Sequence, residues 1–461
     1  MGSIFNFLSN VWLDIKQENK QHFSFIPFLL VLCTIPMAYG INNVFLAIFS
    51  LSVLIKYSSS TFRIQKWLLP AVALFLLMLL SYFWSIDKEA TLKAIPKEIS
   101  LLLIPILFMV MKPFSKEQVQ KIIKYYSYAM VLYVTFYLLK AMVRFILTND
   151  TNVFFYHELV TKEVNAIHVS VYVAVAFFYF FTKEVKTKLE IFCSLLLFGF
   201  ILLLSSKNIV LVFILLILVD YFFYSKIAHK MRLRNMLVFL VLLVTLFFAG
   251  KIKERFQAEF QSNTEKSLSS TVIDKDVIGV NVLSVHEAWT NEKFTPNDFF
   301  PGTAFRAYQA RMFFELFQEE TVFWKGYGLN ASFKKLEEKA IKYDVFRGNE
   351  TQEGYQTKNF HNQYIQNFAE LGFFGFLILV IMLLFTLKKT IQNKDFIQIA
   401  FAVLMISLFL TESFLWRQRG VMFFTLLYCL FATEDYFAPK KMFYEKNFNN
   451  RCRRIFRLAS M

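Results

Sequence analysis

The chain has 461 residues, of which 56% are hydrophobic, 58 are Phe and only 18% are charged. A soluble domain carries about 25% charged residues, so a large soluble helical protein is excluded as a description. The net charge of +16 comes from 50 Lys plus Arg against 34 Asp plus Glu. The basic residues fall in alternate short connections instead of along one face, which matches a positive-inside bias and leaves no nucleic-acid partner.

Apolar runs near the length of a membrane span follow one another along the chain, and in lipid such runs must be helical to pair their backbone groups. Spans are expected over 24–39, 41–56, 67–84, 98–111, 125–147, 167–182, 189–205, 208–224, 235–250, 369–387, 397–412 and 420–433. The start, MGSIFNFLSNVWLDIKQENKQ, offers no small-residue cleavage site and is not expected to be a removable signal peptide. Lys56, Arg63 and Lys66 share one side with Lys112, Lys116, Lys121 and Lys124, then Lys183, Lys186 and Lys188, and later Lys226, Lys230, Lys388, Lys389 and Lys394. That side reads as cytoplasmic and holds both termini; Lys88, Lys93 and Lys97 fall on the other.

The expected fold is therefore an all-α polytopic membrane bundle of about twelve spans. Four parts are expected: an N-terminal bundle over 1–250, an extracytoplasmic loop over 251–360, C-terminal spans over 361–435 and a basic cytoplasmic tail over 436–461. Within the loop, FRAYQARMFFELFQEE (305–320) has Tyr308, Met312, Glu315 and Leu316 at helical steps, and SFKKLEEKAIKYDVF (332–346) reads as a second surface helix. GYGLN (326–330) between them is a turn signal. Cys33, Cys193, Cys429 and Cys452 show no paired spacing, which excludes a Cys-based zinc site and a disulfide framework. No metal ligands and no cofactor are expected; Asp274-Lys275-Asp276, the nearest approach to an Asp-x-Asp pair, reads as a solvated turn.

The stretch most suggestive of chemistry is FHNQYIQNFAELGFFGF (360–376), where the loop re-enters the membrane. Tyr364, Ile365, Phe368, Leu371, Gly372 and Gly375 fall on one helical face, and the glycines would admit another helix. A boundary histidine such as His361 titrates near neutrality and suits a general base, although an interfacial histidine that merely bonds a loop fits the same position. His168 opens a span in VNAIHVSVYVAVAF, where it either contacts substrate or sits at the interface beside Tyr172 as a headgroup-level anchor. Arg417 and Arg419 lie near Glu412, and a structural Glu412–Arg417 pair is expected, with Arg417 also available to substrate. The aromatic content of 18% invites carbohydrate stacking, and of the loop aromatics Tyr308, Trp324, Tyr327 and Trp289 are placed for it.

HNQYIQNFAELGFFG resembles the signature of the O-antigen ligase and polymerase superfamily: His-Asn, Tyr two residues on, then Ala-Glu-Leu-Gly. FRAYQARMFFELFQEETVFWKGYGLN (305–330), LLLSSKNIVLVF (202–213) and LTESFLWRQRGVMFF (410–424) resemble further family segments in the same order, so the likeness runs from about residue 70 to 435. The chain departs at Lys207, which stands where the family has arginine and lacks the bidentate fork. Phe305 replaces a glycine and Ala310 a tryptophan.

The resemblance implies a metal-independent, inverting glycosyltransferase of the inner membrane, facing the periplasm. Its donor would be a polyprenyl-diphosphate-linked glycan, its acceptor a lipid A core or another glycan, with inner-membrane lipids around it. His361 would be the base, Arg306 and Lys207 would meet the charge of the diphosphate leaving group, and Arg311, Asn362, His168 and Arg417 would bind substrate. A polymerase and a protein O-oligosaccharyltransferase share these residues and stay open beside the ligase. A lipid-linked glycan transporter is the rival of another class, and it predicts ionisable groups or broken helices within the spans. A non-catalytic scaffold of an envelope assembly complex would need no convergence of His361 with cations.

Overall fold

The computed structural model describes residues 2–58, 62–161, 164–204, 206–224, 281–349 and 353–434. The expected span over 235–250, the first part of the loop with Asp274 and Asp276, and the basic tail lie outside the described residues.

Almost every described element is a helix. The first group is α1 (Gly2–Gln21), α2 (Phe25–Cys33), α3 (Tyr39–Ile55), α4 (Leu69–Leu80), α5 (Lys88–Glu98) and α6 (Ser100–Val110). Next come α7 (Lys116–Thr148), α8 (Tyr156–Leu159), α9 (Ala166–Phe181), α10 (Lys188–Leu204) and α11 (Lys207–Val219), which ends in a π-turn at Asp220–Tyr224. The loop contributes α12 (Val285–Thr290), α13 (Gly302–Glu319) and α14 (Ser332–Tyr343), with two short parallel strands, β1 (Asn281–Val282) and β2 (Asp298–Phe299). The chain then returns to the bundle as α15 (Gln363–Asn393), α16 (Phe396–Leu408) and α17 (Gln418–Thr433).

Among the described residues three helices are long and apolar enough to cross a membrane: α7, α11 with its π-turn, and α15. Shorter apolar helices accompany them at α3, α4, α9 and α16. The expected span at 24–39 is corrected to α2, whose nine residues cover about 14 Å, under half of a hydrocarbon core of about 30 Å. Helix α1, absent from the expected elements, lies against α7, where Lys121 meets Asp14 and Glu18, both at 2.6 Å. Its mix of charge with few consecutive apolar residues hid it from a search for spans.

Local chemistry marks where these helices begin. Ser115 and Gln118 form a capping box at α7, and Asn165 and Asp395 cap α9 and α16 through their side-chain oxygens. Packing then sorts them by position. Helix α17 is buried continuously from Arg419 to Thr433, and α9 nearly so, as expected of helices that are apolar all round. These two form the centre of the bundle.

The loop forms a cap with its own aromatic core of Phe294, Phe300, Phe305, Tyr308 and Tyr355. Helices α13 and α14 are joined by a charged cluster in which Glu315 meets Arg311 at 2.8 Å and Lys339 at 2.8 Å, and Lys339 also meets Glu319 at 2.9 Å. Tyr308 and Tyr327, expected to meet sugars, are buried, since each ring completes an apolar cluster of the cap; Trp289 and Trp324 stay exposed.

Helix α15 is broken. Gly372 has φ 68° and ψ −162°, so a short segment from Gln363 to Leu371 is set off from the long apolar segment beyond it. The turn at 323–328 fills the break: Tyr327 N donates to Ala369 O at 2.8 Å, Gly328 N to Glu370 O at 2.8 Å, and Phe373 N to Phe323 O at 2.7 Å. This corrects the expectation of a helix-packing glycine face. A β-carbon on Gly372 would lie 2.3 Å from Trp324 O, and one on Gly326 would lie 2.4 Å from the Glu370 carbonyl carbon. Gly372 and Gly326 admit a turn of backbone, not a helix.

Candidate active site

Four pieces of chain meet at one end of the bundle: residues 359–367, the 409–417 connection between α16 and α17, the start of α11 and helix α13. Asn362 starts the short segment of α15 by accepting from Tyr364 N at 2.9 Å and Ile365 N at 3.0 Å, a cap worth about 1 kcal/mol. Its amide also donates to Leu410 O at 3.1 Å. Gln363 accepts from Leu415 N at 2.7 Å, and its own N–H donates to Phe409 O at 2.8 Å. Gln366 accepts from Phe360 N at 3.2 Å and Ser413 Oγ at 3.3 Å. The polar residues of the HNQYIQ stretch thus lash the 409–417 connection to the residues around His361.

His361 sits at the turn into this helix with φ 46°, a conformation that costs a non-glycine residue about 1–3 kcal/mol and is found chiefly where surrounding contacts enforce it. The enforcing contacts are at hand, since its N–H donates to Asn359 Oδ1 at 3.0 Å and its ring meets the edge of Phe305 at 5.6 Å. Its Nδ1 lies 3.3 Å from Glu412 Oε2. Glu412 is 2% exposed and His361 is partly exposed, so the carboxylate is the more deeply buried member of the pair. Burial by itself pushes the Glu412 carboxyl up. The hydrogen bond to His361 and the charges of His361, His168 and Arg306 outweigh that and hold it down at about 2. This carboxylate stays ionised and is a natural acceptor for an Nδ1–H of His361.

The expected Glu412–Arg417 pair is therefore replaced by Glu412–His361. Arg417 is exposed at the start of α17. Arg419, two residues on, is buried and donates to Met37 O at 2.9 Å while stacking 4.0 Å over Tyr39, so it ties α17 to the turn between α2 and α3.

Arg306 reaches the same connection. Its Nε donates to Thr411 O at 2.9 Å and one terminal nitrogen to Gly302 O at 2.9 Å, beside the Glu412 carboxylate. Thr411 also accepts from Asn208 Nδ2 at 2.8 Å, and Asn208 exchanges further bonds with Ser407 at 2.8 Å each way. Lys207 begins α11 directly before Asn208. Through residues 407–412, His361, Arg306 and the start of α11 are brought together, although Asn208 and Thr411 are 203 positions apart.

The remaining expected residues divide. His168 is buried under Phe414, ring to ring at 4.3 Å, and its Nε2 has no hydrogen-bond partner among the described residues. Tyr172, read as a headgroup anchor, is buried beside Phe423 at 4.5 Å. Arg311 is not brought to the histidine. It bonds Glu315 at 2.8 Å, Asn291 O at 2.7 Å and Tyr343 OH at 3.2 Å, all within the cap. The five-residue step from Arg306 already turned it about 140° around α13.

Residues 191–380 match the family model described as O-Antigen ligase. No curated protein matches the chain. The matched stretch takes in Lys207, Arg306, His361, Asn362 and the break at Gly372, and stops short of Glu412. Over that stretch the chain is similar to the O-antigen ligase family, and the match together with the apolar helices supports a ligase- or polymerase-type glycan-transferring membrane protein.

Proposed function

We propose that the protein transfers a glycan from a polyprenyl diphosphate carrier to the hydroxyl of a lipid A core, on the periplasmic side of the inner membrane. The observation that carries this reading is the His361–Glu412 pair, with Arg306 anchored on the residue next to Glu412. The acceptor hydroxyl gives its proton to His361 Nε2 as its oxygen attacks the anomeric carbon from the face opposite the diphosphate. The bond between that carbon and the phosphate oxygen breaks, the configuration inverts, and the negative charge of the departing diphosphate is met by Arg306 and Lys207. Glu412 holds the His361 ring and stabilises the imidazolium, the part a buried carboxylate plays behind a histidine base. Asn362 acts as a positioning residue by holding the turn that carries His361.

Purified protein in nanodiscs, given a polyprenyl-diphosphate-linked glycan, tests the reading. His361→Ala should abolish transfer and leave donor binding largely intact, because a base acts in the transition state. Near-normal transfer by that variant would end the assignment. Supplying a lipid A core, a second carrier-linked glycan or a Ser/Thr peptide as sole acceptor separates ligase from polymerase and from protein glycosylation.

A further inference from the structure

Two neighbouring helices present apolar stripes that no described residue covers. On α15 the exposed residues Phe374, Leu377, Leu384 and Ile391 follow helical steps along one face. On α4, which packs beside α15, Leu69, Leu76, Leu79 and Leu80 do the same, and Phe83 extends the row at 75% exposed. At 1.5 Å per residue the α15 stripe is about 26 Å long, close to the hydrocarbon thickness of a bilayer. Both stripes end at the same place, on the side that holds His361.

An aromatic cluster closes them there. Trp324, 59% exposed, lies 5.7 Å from Phe374, and Phe323 stacks on Phe373 at 5.5 Å. Trp84 at the end of the α4 row donates its indole N–H to Lys325 O at 2.8 Å, and Lys88 sits 5.7 Å over Tyr82. An exposed Trp with half-buried Trp and Tyr beside lysines, above a continuous apolar face, is the arrangement found at the headgroup level of membranes.

We infer that Phe323 and Trp324 of the cap are seated in the bilayer surface on the His361 side, so that phospholipid is the partner of this face. The turn that carries them is the one that fills the break at Gly372, through Phe373 N to Phe323 O. The lipid surface thereby holds the turn, the turn holds the broken helix, and the short segment from Gln363 to Leu371 keeps His361 at a set height above the hydrocarbon. The inference needs the membrane but no particular reaction.

The test is read without activity, so its outcome is independent of the proposed transfer. The chain has six tryptophans, and the difference in emission between wild type and Trp324→Phe isolates Trp324. In nanodiscs of phospholipid brominated near the top of the acyl chain, that difference emission should be lost relative to unbrominated lipid and should resist aqueous iodide. Trp324→Tyr supplies the same difference should Phe disturb the turn. Trypsin should also cut at Lys325 faster in Trp324→Asp than in wild type, both in liposomes. Bromine without effect, quenching by iodide instead, or cross-linking of this face to a second copy would overturn the inference.

Discussion

At the residue scale the candidate site brings together one histidine, one buried acid and one anchored cation. Glu412 controls its acid behaviour. An unfolded glutamate titrates near 4.5, and in the fold the group is held at about 2. As pH falls the unfolded chain therefore takes up the proton first. The stabilisation, roughly 3 kcal/mol, is complete above about 4.5 and vanishes as pH drops through the folded value. Glu412→Gln should lower the melting temperature at neutral pH and flatten its fall between those two values, measured by thermal unfolding in detergent. The same variant should reduce kcat by about 10²- to 10⁴-fold with little change in donor affinity, since it removes the group that orients the base. Arg306→Ala should weaken both binding and turnover. Lys207→Arg should retain more transfer than Lys207→Ala, because the charge survives; equal losses in the two would remove Lys207 from the diphosphate site.

The decisive element is the broken helix. Gly372→Ala puts a β-carbon against Trp324 O in a left-handed conformation, and should cost about 1–3 kcal/mol of stability. Combined with Gly326→Ala the losses should fall short of additive, because both substitutions loosen the same contact. Additive losses in thermal melts would show that the turn and the break act separately. Helix α13 makes the complementary point. Arg306 leaves it towards Thr411, whereas Arg311 is turned into the charged cluster with Glu315 and Tyr343. Arg311→Met should lower the melting temperature of the protein and leave the KM for donor unchanged; a raised KM with normal stability would return Arg311 to the substrate site.

On the scale of the whole molecule, the charge asymmetry of the short connections is the basis of the proposed orientation, and the candidate site lies at the end opposite Lys116, Lys121, Lys124, Lys183 and Lys394. Reporter fusions at residue 290 and within the 388–394 connection should therefore report opposite compartments. A cap found on the cytoplasmic side would be incompatible with a periplasmic transferase. Arg306 and Lys207 are the groups proposed to meet leaving-group charge, so glycan transfer by the purified protein should persist in chelator. Loss in chelator with recovery on adding magnesium or manganese would overturn that division of labour.

Where most of the apolar helices lie, though not α1 or the short α2, and that α13, the 326–330 turn and α14 follow one another in the cap, could be read from the sequence alone, because apolar periodicity, capping side chains and left-handed glycines act over a few residues. The HNQYIQ stretch also pointed to His361 and to the family. Three matters were settled only by tertiary structure. Glu412 stands 51 positions from His361, and its approach depends on Gln363 and Gln366 binding the 409–417 connection. Gly372 reads as a helix-packing residue until the 323–328 turn arrives to occupy its break. Tyr308 and Tyr327 look like sugar-facing aromatics until the cap closes over them. In each case the same side chain suits two environments, and hydration, burial and hydrogen-bond partners brought from distant chain decide between them.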